Sequence, residues 1–262
     1  MSPPTPILAI FLALVGSAAR AGDVACWFEN GVVVAPAQVL GVAGDFILDT
    51  ASPQTLLAET QAQAAGYAQT ELSGEVRMAG MHIDHRPVAV ADLDLRTGAL
   101  PTPIAGVIGA DVLRDYVLDV RFFPCRIVLA EPRRARRFSK ARTRLPLRWI
   151  AGRPTVVASV ADGSTTLTGA FAPAIGADTA VRLSDAAASA PGAAKPRELY
   201  PAGVLRPRLA ALSFAGQLSE NLPAGLTAAE DPALTGLIGA PLLARYRLRF
   251  DFPAGRLLLA PQ

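Results

Sequence analysis

Histidine and cysteine are scarce in this chain, and their scarcity excludes several kinds of chemistry. The 262 residues include two histidines and two cysteines. Two cysteines cannot build a structural zinc site by themselves, and two neighbouring histidines do not supply a convincing Ser-His-Asp set. His82, Asp84 and His85 share the segment HIDH, which we interpret as surface polar residues of a hairpin rather than as a metal site. The sequence also lacks a glycine-rich phosphate loop, so it predicts no cofactor and no metal.

Charge is also limited, except in one segment. Charged residues make up 18% of the chain and the net charge is +3, whereas hydrophobic residues make up 51%. This composition is sufficient for a folded core, and so mild a net charge gives no support to nucleic acid binding. Arginine is dense only from Glu131 to Pro146. We interpret this segment as a solvated linker, and contact with a polyanion or a membrane surface is the alternative.

Long apolar runs are missing beyond the N-terminus. The run from Ile7 to Val15 is followed by Ala19-Arg20-Ala21, an A-x-A cleavage pattern. It is too short to span a bilayer, so we predict a secretory signal peptide at residues 1–21 rather than a membrane anchor. The protein is then periplasmic or secreted, without stable membrane insertion. In such a compartment the two cysteines can form a disulfide, and two buried thiols are the alternative.

A tandem duplication organises the rest of the chain. The segment from Gly106 to Leu129 matches the segment from Gly236 to Leu259 without a gap, and both open on Gly-x-Ile-Gly-Ala. Weaker similarity continues upstream in both halves, where strand patterns alternate with Gly and Asp-Gly turns. We therefore predict an all-β protein with a first lobe at 22–131, a basic linker at 132–146 and a second lobe at 147–262.

The stretch FILDTASPQTLL, from Phe46 to Leu57, contains the most informative motif. An apolar strand leads into Asp49-Thr50-Ala51-Ser52, Thr55 follows, and Ile108-Gly109-Ala110 comes later. These motifs resemble those of retropepsin-like aspartic peptidases, and the resemblance extends over both lobes. It implies two retropepsin-like lobes related by a pseudo-twofold axis in one chain. It also implies peptide-bond hydrolysis in a cleft between the lobes, with a peptide or protein as the substrate.

The resemblance assigns roles to particular residues. Aspartic peptidases hold a water molecule between two carboxylates, one from each lobe or subunit, which act as general base and general acid. Asp49 is then the carboxylate of lobe one, and Thr50 ties the two active-site loops together. The flap over the substrate is expected at a hairpin tip formed by Met78, Ala79, Gly80 and Met81. The terminal strands of a lobe lie close together in this family, which implies a disulfide between Cys26 and Cys125.

The active-site loops depart from the family pattern. Ala51, before Ser52, stands where the family usually has glycine. In lobe two, the positions of Asp, Thr and Gly are held by Ala174, Ile175 and Gly176. The second carboxylate is absent in this register, which we favour. In the alternative register Asp178 is the second catalytic residue, because Asp178-Thr179-Ala180 repeats the letters of lobe one and lies at a similar distance from the downstream glycine.

Three functions remain open at this point. The first is an exported aspartic endopeptidase that uses Asp49 with Asp178, or with Asp49 of a second copy. The second is a catalytically degenerate homologue, or pseudoenzyme, that binds peptide or protein segments without cleaving them. The third is a structural or inhibitor-like envelope protein. We expect a monomer, because lobe two should already cover the face through which lobe one would dimerise.

Overall fold

A computed structural model of the protein describes residues 22–193, 208–228 and 231–262. The predicted signal peptide at 1–21 lies outside the described residues. No helix within these described ranges has both the length and the apolar character needed to cross a membrane. Strands dominate the architecture, and the helices are short: α1 (Glu59–Ala64), α2 (Asp94–Thr97), α3 (Ala110–Leu113), α4 (Asp185–Ala188), α5 (Ala240–Leu243) and a 3-10 turn at Pro132–Arg134.

The two halves of the chain form matching sets of strands. The first half contains β1 (Asp23–Ala25), β2 (Trp27–Glu29), β3 (Val32–Val39), β4 (Val42–Leu48), β5 (Thr55–Ala58), β6 (Glu71–Met78), β7 (Met81–Ala91), β8 (Ile104–Ile108), β9 (Val117–Phe122) and β10 (Cys125–Ala130). The second half contains β11 (Thr143–Pro146), β12 (Arg148–Ile150), β13 (Arg153–Asp162), β14 (Thr165–Ala174), β15 (Val181–Ser184), β16 (Arg208–Phe214), β17 (Gln217–Thr227), β18 (Leu234–Gly239), β19 (Tyr246–Asp251) and β20 (Arg256–Pro261).

Each lobe is a closed seven-stranded sheet. Lobe one has the order β2-β3-β4-β8-β5-β7-β6, and β3 also pairs with β6. Lobe two repeats the order as β12-β13-β14-β18-β15-β17-β16, with β13 pairing to β16. The same strand order in both halves shows that the sequence duplication is a duplication of structure. The fold is therefore all-β with two equivalent lobes.

Hairpin turns of one kind recur at equivalent places. Asn30-Gly31, Ala79-Gly80, Ala151-Gly152 and Ala215-Gly216 each combine two positive φ angles. This backbone is typical of the two-residue type I′ hairpin turn, in which the second residue is commonly glycine. The first and third turns connect β2 to β3 and β12 to β13, and the other two connect β6 to β7 and β16 to β17.

A third sheet joins the lobes. This six-stranded sheet has the order β1-β10-β9-β19-β20-β11, so strands of the two halves meet at β9 and β19. We call it the base sheet. At its centre Arg249 donates two hydrogen bonds to the carboxylate of Asp119, its cross-strand partner, at 2.5 and 2.7 Å. The predicted linker contributes to this sheet, because its last residues form β11 and pair with β20.

The predicted disulfide is present. Cys26 follows β1, Cys125 begins β10, and their sulfur atoms are bonded with a Cα–Cα distance of 5.0 Å. β1 pairs antiparallel with β10, so the bridge fastens the two ends of lobe one to each other. The equivalent ends of lobe two contain no cysteine.

Candidate active site

Asp49 lies immediately after the buried end of β4. This strand runs parallel to β8, with Leu48 opposite Ile108, and the backbone N–H of Asp49 donates to the carbonyl of Ile108 at 3.0 Å. The residue is only 7% exposed. A carboxylate so deeply placed requires partners to offset its loss of hydration.

The partners of the Asp49 carboxylate come mainly from its own lobe. Oδ1 accepts a hydrogen bond from the backbone N–H of Ala51 at 2.9 Å. Oδ2 accepts one from Nη2 of Arg96 at 2.5 Å, and this nitrogen also lies 3.3 Å from the carbonyl oxygen of Gly176 in lobe two. Asp49 and Arg96 therefore form a charge-assisted pair that reaches across to the second lobe.

Arg96 is held in place by the connection between β7 and β8, for which the sequence predicted no role. Residues 92–103 connect β7 to β8 and include α2. Leu93 anchors the segment, since its side chain is 6% exposed and packs in an apolar cluster with Ile47. Asn30 donates to the carbonyl of Ala99 at 2.5 Å, which fixes the far end of the segment. No spacing motif marks Arg96, although the corresponding connection in lobe two, residues 228–233, is shorter.

Thr50 joins the loop that follows β4 to the end of β14 in lobe two. Its Oγ1 donates to the carbonyl oxygen of Pro173 and accepts from the backbone N–H of Ile175 at 3.3 Å. Ile175 has no hydroxyl group with which to reciprocate. Instead the carbonyl oxygen of Ile175 accepts a hydrogen bond from the backbone N–H of Val33 at 3.1 Å. Lobe two therefore takes part in these contacts through backbone atoms alone, whereas lobe one also uses the side chain of Thr50.

Strand register identifies Ala174 as the counterpart of Asp49. Leu48 lies opposite Ile108 in lobe one, and Pro173 lies opposite Ile238 in lobe two, so the next residues are Asp49 and Ala174. The following turns also correspond. The N–H of Ser52 donates to the carbonyl of Asp49 at 3.2 Å, and the N–H of Ala177 donates to that of Ala174 at 3.3 Å.

Apolar side chains surround Ala174, the counterpart of Asp49. Ala174 is fully buried in a cluster with Ala51, Ala172 and Leu234. Gly176 approaches Asp49 so closely that a Cβ atom on it would lie 2.5 Å from the Cβ of Asp49. Lobe two therefore meets Asp49 through the backbone of Gly176, and its residue equivalent to Asp49 is an alanine packed among apolar side chains.

Asp178 engages side chains of its own lobe. Its Oδ1 accepts hydrogen bonds from Arg182 at 3.1 Å and from the hydroxyl of Thr179 at 3.0 Å. Gly176 of the same loop lies against Asp49. The strand pairing of β14 with β18 thus assigns Ala174 and not Asp178 to the position equivalent to Asp49.

The hairpin tip predicted as the flap does not cover Asp49, and that prediction was wrong. Met78 pairs with Ala37 of β3, and Ala37 pairs with Gly44 of β4. Gly44 precedes Asp49 by about 16 Å along an extended strand. Met81 lines a cavity beside the base sheet, at the other end of the lobe. Sequence shows that two strands form a hairpin, but not which third strand its tip pairs with.

The Ala51 turn tolerates alanine. Its φ angle is not positive, so glycine is not required there for conformational reasons. The carbonyl of Ala51 accepts a hydrogen bond from Nε of Arg153 in lobe two at 3.0 Å, and the carbonyl of Ser52 accepts from the N–H of Ala110 at 2.7 Å. These bonds hold the loop against β13 and α3.

Thr55 and Asp111 support the loop from below. The hydroxyl of Thr55 donates to Oδ1 of Asp111 at 2.9 Å and accepts from the N–H of Gly109 at 3.0 Å. Burial raises the pKa of Asp111 above its ordinary value, and the hydrogen bond from Thr55 opposes this effect. Asp111 lies in the first turn of α3.

The HIDH segment lies on β7, away from Asp49. Nδ1 of His82 is 3.2 Å from the carboxylate of Glu75 on the neighbouring strand. Across the described ranges, His, Cys, Asp and Glu side chains form no group of three or more suited to a metal ion.

Comparison with known proteins places the fold in context. No protein-family model and no curated protein matches the chain. Among solved structures, the chain is similar to an aspartic proteinase from Irpex lacteus, with 16% sequence identity and a TM-score of 0.53. The similarity covers 92% of this chain and 97% of that chain. At this level of identity it shows the fold alone: the protein has the two-lobed architecture of an aspartic proteinase.

Proposed function

We propose that this protein binds peptide or protein segments on an aspartic-proteinase fold and does not cleave them. The observation that carries the proposal is the pairing of Asp49 with Arg96, together with Ala174 at the matching position of lobe two. Dyad chemistry requires two carboxylates that share a proton and hold a water molecule. Here Oδ2 of Asp49 accepts a hydrogen bond from the guanidinium of Arg96. The matching residue of lobe two, Ala174, has a methyl group in place of a carboxylate.

A second copy of the chain is a poor source of the missing carboxylate. The hydroxyl of Thr50 is bonded to the backbone of Pro173 and Ile175, and Gly31 of lobe one lies against Asp178 and Pro241. Lobe two therefore occupies the face through which two first lobes would meet, which supports a monomer as the working form.

Exposure beside the site supports binding over a purely structural role. Leu95 is 86% exposed, although it is adjacent to Arg96 and to the anchored Leu93. A single exposed leucine is unremarkable on a surface. Leu95 directly precedes Arg96 in α2, so an exposed apolar side chain lies on the same short helix as the guanidinium that pairs with Asp49. Extended peptides bind through combinations of backbone and pocket groups.

Export is part of the proposal. The Cys26–Cys125 disulfide is of the kind that persists in oxidising compartments, and the fold is shared with an aspartic proteinase. The signal peptide predicted at 1–21 would direct the chain to the periplasm or the exterior.

Two assays on the same preparation test the proposal. The protein is offered an unfolded protein substrate from acid to neutral pH, and separately a fluorescent peptide library for binding. We expect no cleavage, and binding that weakens in Leu95→Ser but not in Leu218→Ser, a matched exposed leucine on β17. Cleavage that disappears in Asp49→Asn would instead establish the competing function, an aspartic endopeptidase, for which the buried Asp49 between two lobes is the supporting observation. Absence of both cleavage and binding would favour a structural role.

A further inference from the structure

The linker lies across the outer face of the base sheet. Ala135 and Arg136 border a cavity of about 340 Å³ whose other walls include Val117, Val128 and Arg249 of the sheet. Phe138 lies beneath the guanidinium of Arg249, 5.1 Å from its ring centroid. Side chains of the sheet that point the other way, such as Leu118, belong to the core. The linker and this outer side of the sheet thus form one surface, which we call the basic face.

Positive charge on the basic face exceeds the negative charge available to neutralise it. Its acidic side chains are each paired: Asp23 with Arg126, Asp119 with Arg249, Asp251 with Arg256, and Glu131 with Arg134. In the part of the chain that the structure describes, the other basic side chains of this face make no ion pair: Arg121, Arg133, Arg136, Arg137, Lys140, Arg142, Arg144 and Arg247. Most of them are exposed. An excess of this size on one side of a chain with a net charge of +3 is a local feature and not a property of the whole surface.

Exposed aromatic side chains adjoin the basic face at one end. Phe123, in the turn from β9 to β10, is 62% exposed, and Trp27 is 43% exposed. The disulfide brings them to the same end of the sheet, because Trp27 follows Cys26 and Phe123 precedes Cys125 by two positions. Arg121 and Arg126 flank this turn in sequence. Aromatic side chains next to arginines are typical of protein surfaces that bind at the headgroup layer of a membrane.

We infer that the basic face docks the protein on an anionic lipid bilayer, with Phe123 and Trp27 entering the headgroup layer. The cations spread over a sheet and its crossing linker, which suits an extended anionic surface. The exposed rings suit a bilayer, which offers an interfacial layer that Trp and Phe side chains can enter. On this geometry the cleft between the lobes, at the opposite side from the base sheet, faces away from the membrane.

Vesicle binding tests the inference on the full chain. Sedimentation with phosphatidylglycerol vesicles is compared with sedimentation with phosphatidylcholine vesicles, and each variant is expressed as a ratio to wild type, so that a contribution of the apolar run Ile7 to Val15 cancels. Each basic residue near an anionic surface strengthens binding by roughly fivefold. Arg137→Glu removes one cation and adds one anion, so we expect roughly 25-fold weaker binding to phosphatidylglycerol. Arg208→Glu, an exposed arginine of lobe two with the same change in charge, should leave binding within about twofold.

The exposed rings of Phe123 and Trp27 give a second readout. Phe123→Ser should weaken binding to vesicles without changing the salt dependence that the arginines produce. In a Trp149→Phe background, the fluorescence of Trp27 should shift to shorter wavelength on adding phosphatidylglycerol vesicles. Failure to bind these vesicles would overturn the inference. So would equal binding to single-stranded DNA and to vesicles that is unaffected by Phe123→Ser, since that result would make the face a general polyanion site.

Discussion

Gly176 packs so closely against Asp49 that no residue with a Cβ atom would fit at position 176 without a shift. A Cβ atom at 176 would lie 2.5 Å from the Cβ of Asp49 and 2.7 Å from its Cγ. Glycine here is therefore a requirement of packing between the lobes, because its φ angle is not positive. The close approach also brings the carbonyl of Gly176 to Arg96. The geometry of the site thus depends on the absence of one methyl group.

The Gly176→Ala variant should be destabilised by this contact. Overpacking of this kind costs about 1–3 kcal/mol, and urea unfolding of the purified protein measures it. The double variant Gly176→Ala/Asp49→Gly should recover part of the loss, because the clashing atoms of Asp49 are gone. Additive losses in the two single variants would show that the lobes separate instead of pressing on Asp49.

A pair of carboxylates of the kind that aspartic peptidases use can be introduced at the site by substitution. The triple variant Ala174→Asp/Ile175→Thr/Arg96→Ala supplies the second carboxylate, restores the second loop hydroxyl and frees Asp49. We expect weak cleavage of an unfolded protein at acidic pH, where one of two adjacent carboxylates keeps its proton. Arg96→Ala alone should remain inactive. Cleavage by that single variant would mean that Arg96 only masks an otherwise complete site.

Loss of the disulfide should lower stability substantially. The bridge closes a loop with a sequence separation of 99, for which loop-closure entropy corresponds to about 4–5 kcal/mol. The double variant Cys26→Ser/Cys125→Ser should therefore unfold at lower urea concentration than wild type. Reductant should lower the stability of wild type towards that of the variant and leave the variant unchanged. Equal stability of the two proteins under oxidising conditions would contradict the expectation.

Burial of Asp111 should make stability depend on pH. Its pKa is raised above the ordinary value of 3.8, so the folded state retains the proton more strongly than the unfolded state. The associated stability is present below the ordinary pKa and is lost as pH rises through the raised pKa. In Asp111→Asn this dependence should disappear, as measured by unfolding at a series of pH values. Asp84→Asn, an exposed control on β7, should keep the wild-type profile.

The sequence contained most of the fold because the protein repeats itself. The segment β8-α3-β9-β10 recurs without a gap as β18-α5-β19-β20, which predicted two lobes of the same fold. The apolar strand before Asp49 indicated where the candidate site lies. Ala174 could be placed because local strand patterns carry register. Arg96 could not be found, since its pairing with Asp49 depends on how residues 92–103 pack and not on any spacing motif. The tip at Met78 was misplaced for the same reason: docking of a hairpin is a long-range property.

The base sheet determines which part of the molecule can move to expose Asp49. β9 and β19 come from different lobes and are paired through their backbones, and the Asp119–Arg249 pair reinforces them. Opening the cleft by swinging the lobes apart would break this continuous ladder. Residues 92–103 contain one four-residue helix and no strand of the three sheets, so access to the buried carboxylate is expected to follow local release of this segment. The mobile segment, residues 92–103, and the carboxylate of Asp49 would then both belong to lobe one, and lobe two would stay in place.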